Sequence, residues 1–281
     1  MILDISRYSL PSTRYLKCIL LVMRNIRLTI EYDGTDFFGW QIQSRHQQKT
    51  IQDTIEKALQ KILQEKVKLI ASGRTDSGVH ALAQVANFKT HSQIALEQLQ
   101  KALNALLPAE ITIIKTEELD LDFHSRFDVQ SKVYRYLILN RPHRSSFLRN
   151  RVYFYPYPLD VGLIQDEAKV LLGRHDFKAF CASGSNTKDT IRRIKKIAIK
   201  KLPYLPWGVK DNPKKLPLIV IDIEANGFLY NMVRNIIGTL IEIGRKKLAK
   251  GGLKRILKSK DRRFAGPTAP AQGLYLLEVR Y

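Results

Sequence analysis

Residues 72–80 read Ser-Gly-Arg-Thr-Asp-Ser-Gly-Val-His, a small, polar stretch bounded by Gly73 and Gly78 directly after a strand-like run. Glycines let a backbone turn tightly and let a ligand come close to it. Arg74 and Asp76 lie two apart, so in an extended stretch their side chains leave on the same side. A guanidinium beside a carboxylate favours the anion. That suits a nucleophile or an electrostatic group better than a general acid. Ser, Asp and Gly also make ordinary surface turns, and this segment alone leaves that reading open.

Two other segments hold residues with chemical reach. In 132–137 (KVYRYL), Tyr134 and Tyr136 share one strand face and Arg135 takes the other. An exposed tyrosine stacks on a nucleobase and its hydroxyl can move a proton; a buried pair is simply core. Arg234 interrupts the apolar helical stretch FLYNMVRNIIG and shares its flank with Tyr230, Asn231 and Gly238. A helical arginine is ordinarily solvated, and this one gains meaning only if its flank meets a carboxylate.

The usual cofactor signatures are missing. There is no GxxxxGK[ST] loop, no GxGxxG, no GxSxG elbow and no HxE…PCxxC pattern. His46, His80, His91, His124, His143 and His175 show no metal-ligand spacing, and neither do Cys18 and Cys181. A reaction without cofactor or metal, or no reaction, is what remains. Two distant cysteines also exclude a disulfide scaffold and point to a reducing, intracellular setting.

These segments need elements to hold them. The pattern predicts strands at 26–32, 67–72, 84–89 and 111–117, with helices opened by Thr50 and over 95–107. Asp53 stands three after Thr50 as a capping-box partner. Further on, strands are expected at 132–139, 151–155, 191–200, 218–225 and 274–280. Helices are expected at 160–172, 228–247 and 252–259. Strict strand–helix alternation is lacking, so a doubly wound parallel fold does not fit. An α+β architecture does, with two similar halves, largely antiparallel mixed sheets and a cleft between them. The division is 1–24 as an N-terminal extension outside the fold, 25–128 as the first half and 129–281 as the second. Residues 16–23 faintly imitate a signal peptide but lack a cleavage site, and Met23 offers an alternative start. The apolar run from Phe228 to Ile243 is too short and too polar to cross a bilayer.

Charge points to the partner. The chain carries 47 Lys and Arg against 26 Asp and Glu, a net charge of +21. Residues 1–128 hold 16 basic and 15 acidic residues, and 129–281 hold 31 and 11, so the excess sits almost wholly in the second half. It gathers at 141–151, 188–201 and 245–263. Such faces bind phosphates without reading sequence, and nucleic acid is the commonest polyanion.

Taken together and in order, several segments resemble the tRNA pseudouridine synthase A family. They are IEYDGTDFFGWQ (30–41), SGRTDSGVHA (72–81), FHSRFD (123–128), KVYRYLI (132–138), HDFKAF (175–180), GFLYNMVRNIIGTL (227–240) and APAQGLYL (269–276). The resemblance covers about residues 25–281. It implies an isomerase that turns uridine into pseudouridine at positions 38, 39 and 40 of the tRNA anticodon arm. It also implies a cytoplasmic homodimer without cofactor or metal, built from two α+β halves around a basic cleft. Asp76 matches the catalytic aspartate and Tyr134 the tyrosine that stacks on the target base and is a candidate to take its C5 proton. Arg234 matches the arginine that pairs with the carboxylate, and Arg74 the motif arginine linked to base flipping. Arg126 and His80 fall in matched motifs as possible RNA contacts without assigned roles. Ser77 stands where the family often has alanine. Residues 1–22 and the loop 203–217, with Trp207, have no counterpart in the resemblance.

The chemistry fits these groups. Isomerisation breaks C1′–N1 and rejoins the ring through C5, so it conserves atoms and needs no redox partner. Asp76 could trap either C1′ or C6. A tyrosine hydroxyl is a weak base at neutral pH, so a relayed water is a further candidate for the C5 proton. The competing class is a non-catalytic RNA-binding or assembly protein. That class accounts for charge and aromatics, but not for Arg74 and Asp76 together in a Gly-bounded turn.

Overall fold

The computed structural model describes residues 22–41, 49–184, 187–202 and 218–281. The N-terminal extension up to residue 21 and the 203–217 loop lie outside the described residues. Ten strands are present among those described: β1 (Arg24–Tyr32), β2 (Ile70–Ala71), β3 (His80–Thr90), β4 (Ile111–Leu119), β5 (Ser131–Leu139), β6 (Tyr153–Phe154), β7 (Gly173–Asp176), β8 (Ile191–Leu202), β9 (Leu218–Ala225) and β10 (Leu274–Arg280). The helices are α1 (Ile51–Leu63), α2 (Leu96–Leu106), α3 (Val161–Ala168), α4 (Met232–Gly244) and α5 (Gly252–Ser259). This is the expected α+β class.

All ten strands form one mixed sheet, in the order β4-β1-β3-β10-β5-β9-β8-β7, with β2 on β3 and β6 on β5. Pairing is antiparallel except between β10 and β3 and between β5 and β6. The seam lies at β10. It runs parallel to β3 through Tyr275 opposite His80, and antiparallel to β5 through Leu276 opposite Tyr134. Strands from the two halves therefore meet on the strand latest in sequence, and one continuous apolar core underlies both, from Ile26 and Phe88 to Ile221 and Ile236.

Local sequence explains most elements. On β1 the side chains alternate, with Leu28, Ile30 and Tyr32 buried. On β8 only Ile194 and Ile199 are buried, so its lysines and arginines form a solvated face. In α1, Thr50 Oγ1 accepts from the Asp53 N–H at 3.4 Å. The reciprocal half of the capping box is not made: the Asp53 carboxylate bonds Lys57 at 2.7 Å instead. The run expected as helix over 228–247 starts later, at Met232, because Asn231 adopts a left-handed backbone with φ 56°. Phe228 and Leu229 thus lie outside the helix, and Tyr230 and Asn231 form the turn that precedes it. Helix 160–172 is shorter too, passing at Lys169 into a 3₁₀ turn. The polar strand β7 carries no apolar alternation and was not expected.

Candidate active site

The loop between β2 and β3 carries the Arg74–Asp76 segment, and four other parts of the chain hold it. At its start, Ser72 donates its N–H to the Val85 carbonyl at 2.8 Å and its hydroxyl to Gln84 Oε1 at 2.7 Å. Gln84 Nε2 returns a bond to the Gly73 carbonyl at 2.9 Å. From β5, the Lys132 ammonium donates to the Ser72 carbonyl. A β-carbon at Gly73 would lie 2.6 Å from that ammonium, so glycine leaves room for the lysine. Further along, Thr75 is buried, its hydroxyl 2.7 Å from that of Tyr32, while its carbonyl accepts from the Trp40 N–H at 3.0 Å. Gly39, at φ +82°, permits this approach, because a β-carbon there would sit 2.6 Å from the Thr75 carbonyl oxygen. With Thr75 turned into the core, the flanking Arg74 and Asp76 are left toward the surface.

Asp76 meets α4. Its Oδ2 lies 3.2 Å from Arg234 Nη1, with the two side chains 28% and 18% exposed. Arg234 is itself fixed twice more, by Nε to the Ala269 carbonyl at 2.7 Å and by Nη1 to Asn231 Oδ1 at 3.0 Å. Arg234 also accepts the Ala269 N–H on its own carbonyl at 3.1 Å, so helix and segment are clamped at one residue. Gly238, one turn on, makes this possible: a β-carbon there would fall 1.6 Å from the Pro267 carbonyl oxygen. The left-handed Asn231 that shortens α4 also brings its side chain to Arg234. Asp76 Oδ1 carries no hydrogen bond among the described residues.

The guanidinium at Asp76 is therefore Arg234 and not Arg74. Arg74 is exposed and makes no hydrogen bond or ion pair among the described residues. Two-residue spacing set the side of the chain correctly but not the partner, which comes from the other half of the molecule.

Tyr134 is only 8% exposed and meets Phe228 edge-to-face, with ring centres 5.1 Å apart. Burial pushes its phenol well above the ordinary value, and Tyr32 and the Asp76 carboxylate push it further the same way. The phenol is neutral at any physiological pH and is a hydrogen-bonding group rather than a ready base. Tyr136 is core: fully buried, its hydroxyl bonds the Pro270 carbonyl at 2.7 Å. Arg135, on the opposite face, pairs with Asp222 at 2.8 Å.

His80 and Arg126 stand apart from the Asp76–Arg234 contact. His80 is 2% exposed and stacks on Tyr275 with centres 4.7 Å apart. Its Nδ1 accepts from the Gly34 N–H at 3.1 Å and lies 3.0 Å from Asp33 Oδ1. Burial lowers its pKa, the nearby Asp33 carboxylate opposing, so the ring is neutral and structural. Asp33 is held by Arg151 at 2.6 Å, which ties the basic 141–151 segment to the loop that cradles residues 75–79. Arg126 is exposed, its guanidinium 5.7 Å from the centre of the Phe127 ring.

Residue-level reading placed Asn231 on the flank of Arg234 but gave no role to Lys132 or to the Ala269 backbone. Lys132 had a signal, since it stands two before Tyr134 and shares its strand face. Burial and the charge of Arg126 lower its ammonium from 10.5 to about 8. Ala269 contributes through its backbone, which composition does not announce.

Comparison with known proteins decides the family. A family profile described as tRNA pseudouridine synthase matches residues 28–128 and 168–281. The chain belongs to the tRNA pseudouridine synthase family. Among curated members, tRNA pseudouridine synthase A of Caldicellulosiruptor bescii is 48% identical over 259 residues, covering 92% of this chain and 100% of that protein. tRNA pseudouridine synthase A 2 of Clostridium tetani is 48% identical over 258 residues, covering 92% and 99%. The Acetivibrio thermocellus tRNA pseudouridine synthase A is 46% identical over 259 residues, covering 92% and 100%. The family resemblance noted above thus holds along the matched length. No helix among the described residues is long and apolar enough to cross a membrane.

Proposed function

We propose that this chain isomerises uridine to pseudouridine at positions 38, 39 and 40 of the tRNA anticodon arm, with Asp76 as nucleophile. The single observation that supports the assignment is the Asp76–Arg234 contact. Arg234 Nη1 holds Oδ2 at 3.2 Å, itself anchored at Asn231 and Ala269. The other carboxylate oxygen is left to attack. A fixed carboxylate loses little freedom on reaching a substrate, which offsets the modest nucleophilicity of an ion-paired acid.

The target base must leave its stack, at a cost of a few kcal/mol. Arg74, exposed and unbonded among the described residues, is the free cation beside the nucleophile. It fills the vacated stack or holds the extruded phosphate. Asp76 traps C1′ or C6, the C1′–N1 bond breaks, the ring turns and C5 bonds C1′; the carboxylate is displaced from C1′ by that bond or eliminated from C6 after it, so Asp76 is regenerated. N1 gains the proton that balances the broken bond. The C5 proton leaves last. The neutral Tyr134 phenol orients the base and hydrogen-bonds a water that carries this proton away. The chain acts as a cytoplasmic homodimer without metal or cofactor, as the family resemblance implies.

The test uses unmodified tRNA tritiated at uridine C5, without added metal, and counts tritium released to water. Release by the wild type and none above background by Asp76→Ala is the expected result. Undiminished release by Asp76→Ala would remove the nucleophile role. Tight tRNA binding with no release by the wild type would return the chain to the RNA-binding class.

A further inference from the structure

The turn between β4 and β5 ends in an aromatic surface that the isomerisation does not use. Phe127 is 74% exposed. Its ring lies on the His124 imidazole, with centres 4.2 Å apart and planes inclined by 30°. The Arg126 guanidinium stands 5.7 Å from the centre of the same ring.

This surface is rigidly mounted. Ser125, between the two rings in sequence, is fully buried. Its N–H donates to Asn87 Oδ1 at 3.0 Å, and its carbonyl accepts the Tyr281 hydroxyl at 2.8 Å. Phe123 packs on Tyr281 with ring centres 5.1 Å apart. Within the turn, the His124 N–H bonds Asp128 Oδ2 at 2.8 Å, and His124 Nδ1 accepts from the Arg126 N–H at 3.1 Å. The Phe127 N–H is shared between the His124 carbonyl at 3.1 Å and His124 Nδ1 at 3.3 Å. A phenylalanine held this firmly in solvent forgoes the gain that burial brings. Its fixed geometry spares a ligand the ordering cost of a mobile side chain.

Location narrows the ligand. The turn leads directly into β5, whose second residue, Lys132, holds the Ser72 carbonyl, two residues ahead of Arg74. The aromatic face is thus connected to the loop that carries Asp76. Beside Phe127, Arg126 and Asp128 are exposed and charged. The exposed aromatic surface is one ring, a size matched to one base rather than to the ~800 Å² per side of a stable protein interface.

We propose that Phe127, stacked on His124, is a platform for an unpaired nucleobase of the RNA substrate near the target uridine, with Arg126 meeting the adjoining phosphate. The proposal rests on the reading of the substrate as tRNA with an accessible loop. Any base has a π-face, so the platform binds without sequence preference and steadies the strand while the neighbouring nucleotide is extruded.

The test compares wild type with Phe127→Ala and Phe127→Tyr against two probes, an unmodified anticodon stem-loop transcript and a blunt RNA duplex of equal length. Phe127→Ala should bind the stem-loop about tenfold more weakly, Phe127→Tyr should restore binding, and affinity for the duplex should not change. In Phe127→Trp, stem-loop RNA should quench indole fluorescence beyond the change seen in wild type. Wild-type affinity in Phe127→Ala would overturn the platform, as would equal losses on both probes. Tritium release from C5 by the wild type is read in parallel. Its absence would sink the isomerase assignment while leaving the Phe127 comparison readable.

Discussion

Lys132 reaches the loop of Asp76 through the Ser72 carbonyl, and it carries a measurable signature. Its ammonium is lowered from 10.5 to about 8 by burial and by Arg126. Between those values the unfolded chain keeps the proton and the folded chain has lost it. Unfolding then takes up a proton, and this group's contribution to stability rises with pH across the window. Below about 8 both states are protonated and the folded state bears the full cost of the buried charge. Urea unfolding should therefore show wild type gaining on Lys132→Met as pH rises from about 8 to about 10.5. A difference that stays constant over that range would mean Lys132 keeps an ordinary pKa. The residues themselves were readable at this scale: Asp76, Tyr134 and Arg234 stood out by type and motif. Their pairings were less so. Local spacing suggested Arg74 for Asp76; only the family resemblance named Arg234, which reaches it from far along the chain, a meeting no local pattern encodes.

At the scale of elements, α4 and the segment after α5 act as one unit that aims Arg234. Gly238 is where they touch, since any β-carbon there would collide with the Pro267 carbonyl oxygen at 1.6 Å. Gly238→Ala should cost about 1–3 kcal/mol through overpacking, read as a lowered melting temperature. It should also reduce the rate of tritium release at saturating tRNA, because pushing 267–269 outward removes the Ala269 carbonyl from Arg234. Loss of stability with an unchanged rate would show that the segment does not orient the guanidinium. Most elements were legible because period-two and helical apolar patterns mark half-buried strands and one-sided helices. β7 escaped because its residues, Gly-Arg-His-Asp, are polar throughout. The start of α4 was misjudged because apolar Phe228 and Leu229 continue the helical pattern while Asn231 leaves helical geometry. Asparagine tolerates the left-handed region better than most residues, and there its side chain bonds Arg234.

For the whole molecule, the uneven charge is the governing quantity. The solvated face of β8, the outer side of α5 with Lys254, Arg255 and Lys258, and the 141–151 segment all lie in the second half, while Asp76 lies in the first. On the proposed reading most phosphate capture falls to the second half, while the nucleophile comes from the first and is held by Arg234 of the second. Affinity for tRNA should fall steeply with salt, by about 10³-fold or more between about 50 and 200 mM if six or more phosphates are neutralised. The rate at saturating tRNA should change far less, since Arg234 and Asp76 are partly shielded. Fluorescence titration and tritium release across a salt series read the two separately. An affinity indifferent to salt would contradict electrostatic capture.

The placement of β10 also bears on how the molecule comes into being. Residues 274–280 are made after every other described strand, yet they fill the position between β3 and β5. Until they emerge from the ribosome, the flanks of β3 and β5 that will receive them are raw edges, and the loop of Asp76 has no final neighbour across the seam. Pairing that joins distant parts of a chain is slow to nucleate, and open strand edges invite wrong partners meanwhile. A nascent or truncated chain lacking those residues cannot close the sheet. A chain cut before residue 274 leaves β3 and β5 unpaired along this seam and should release no tritium from tRNA.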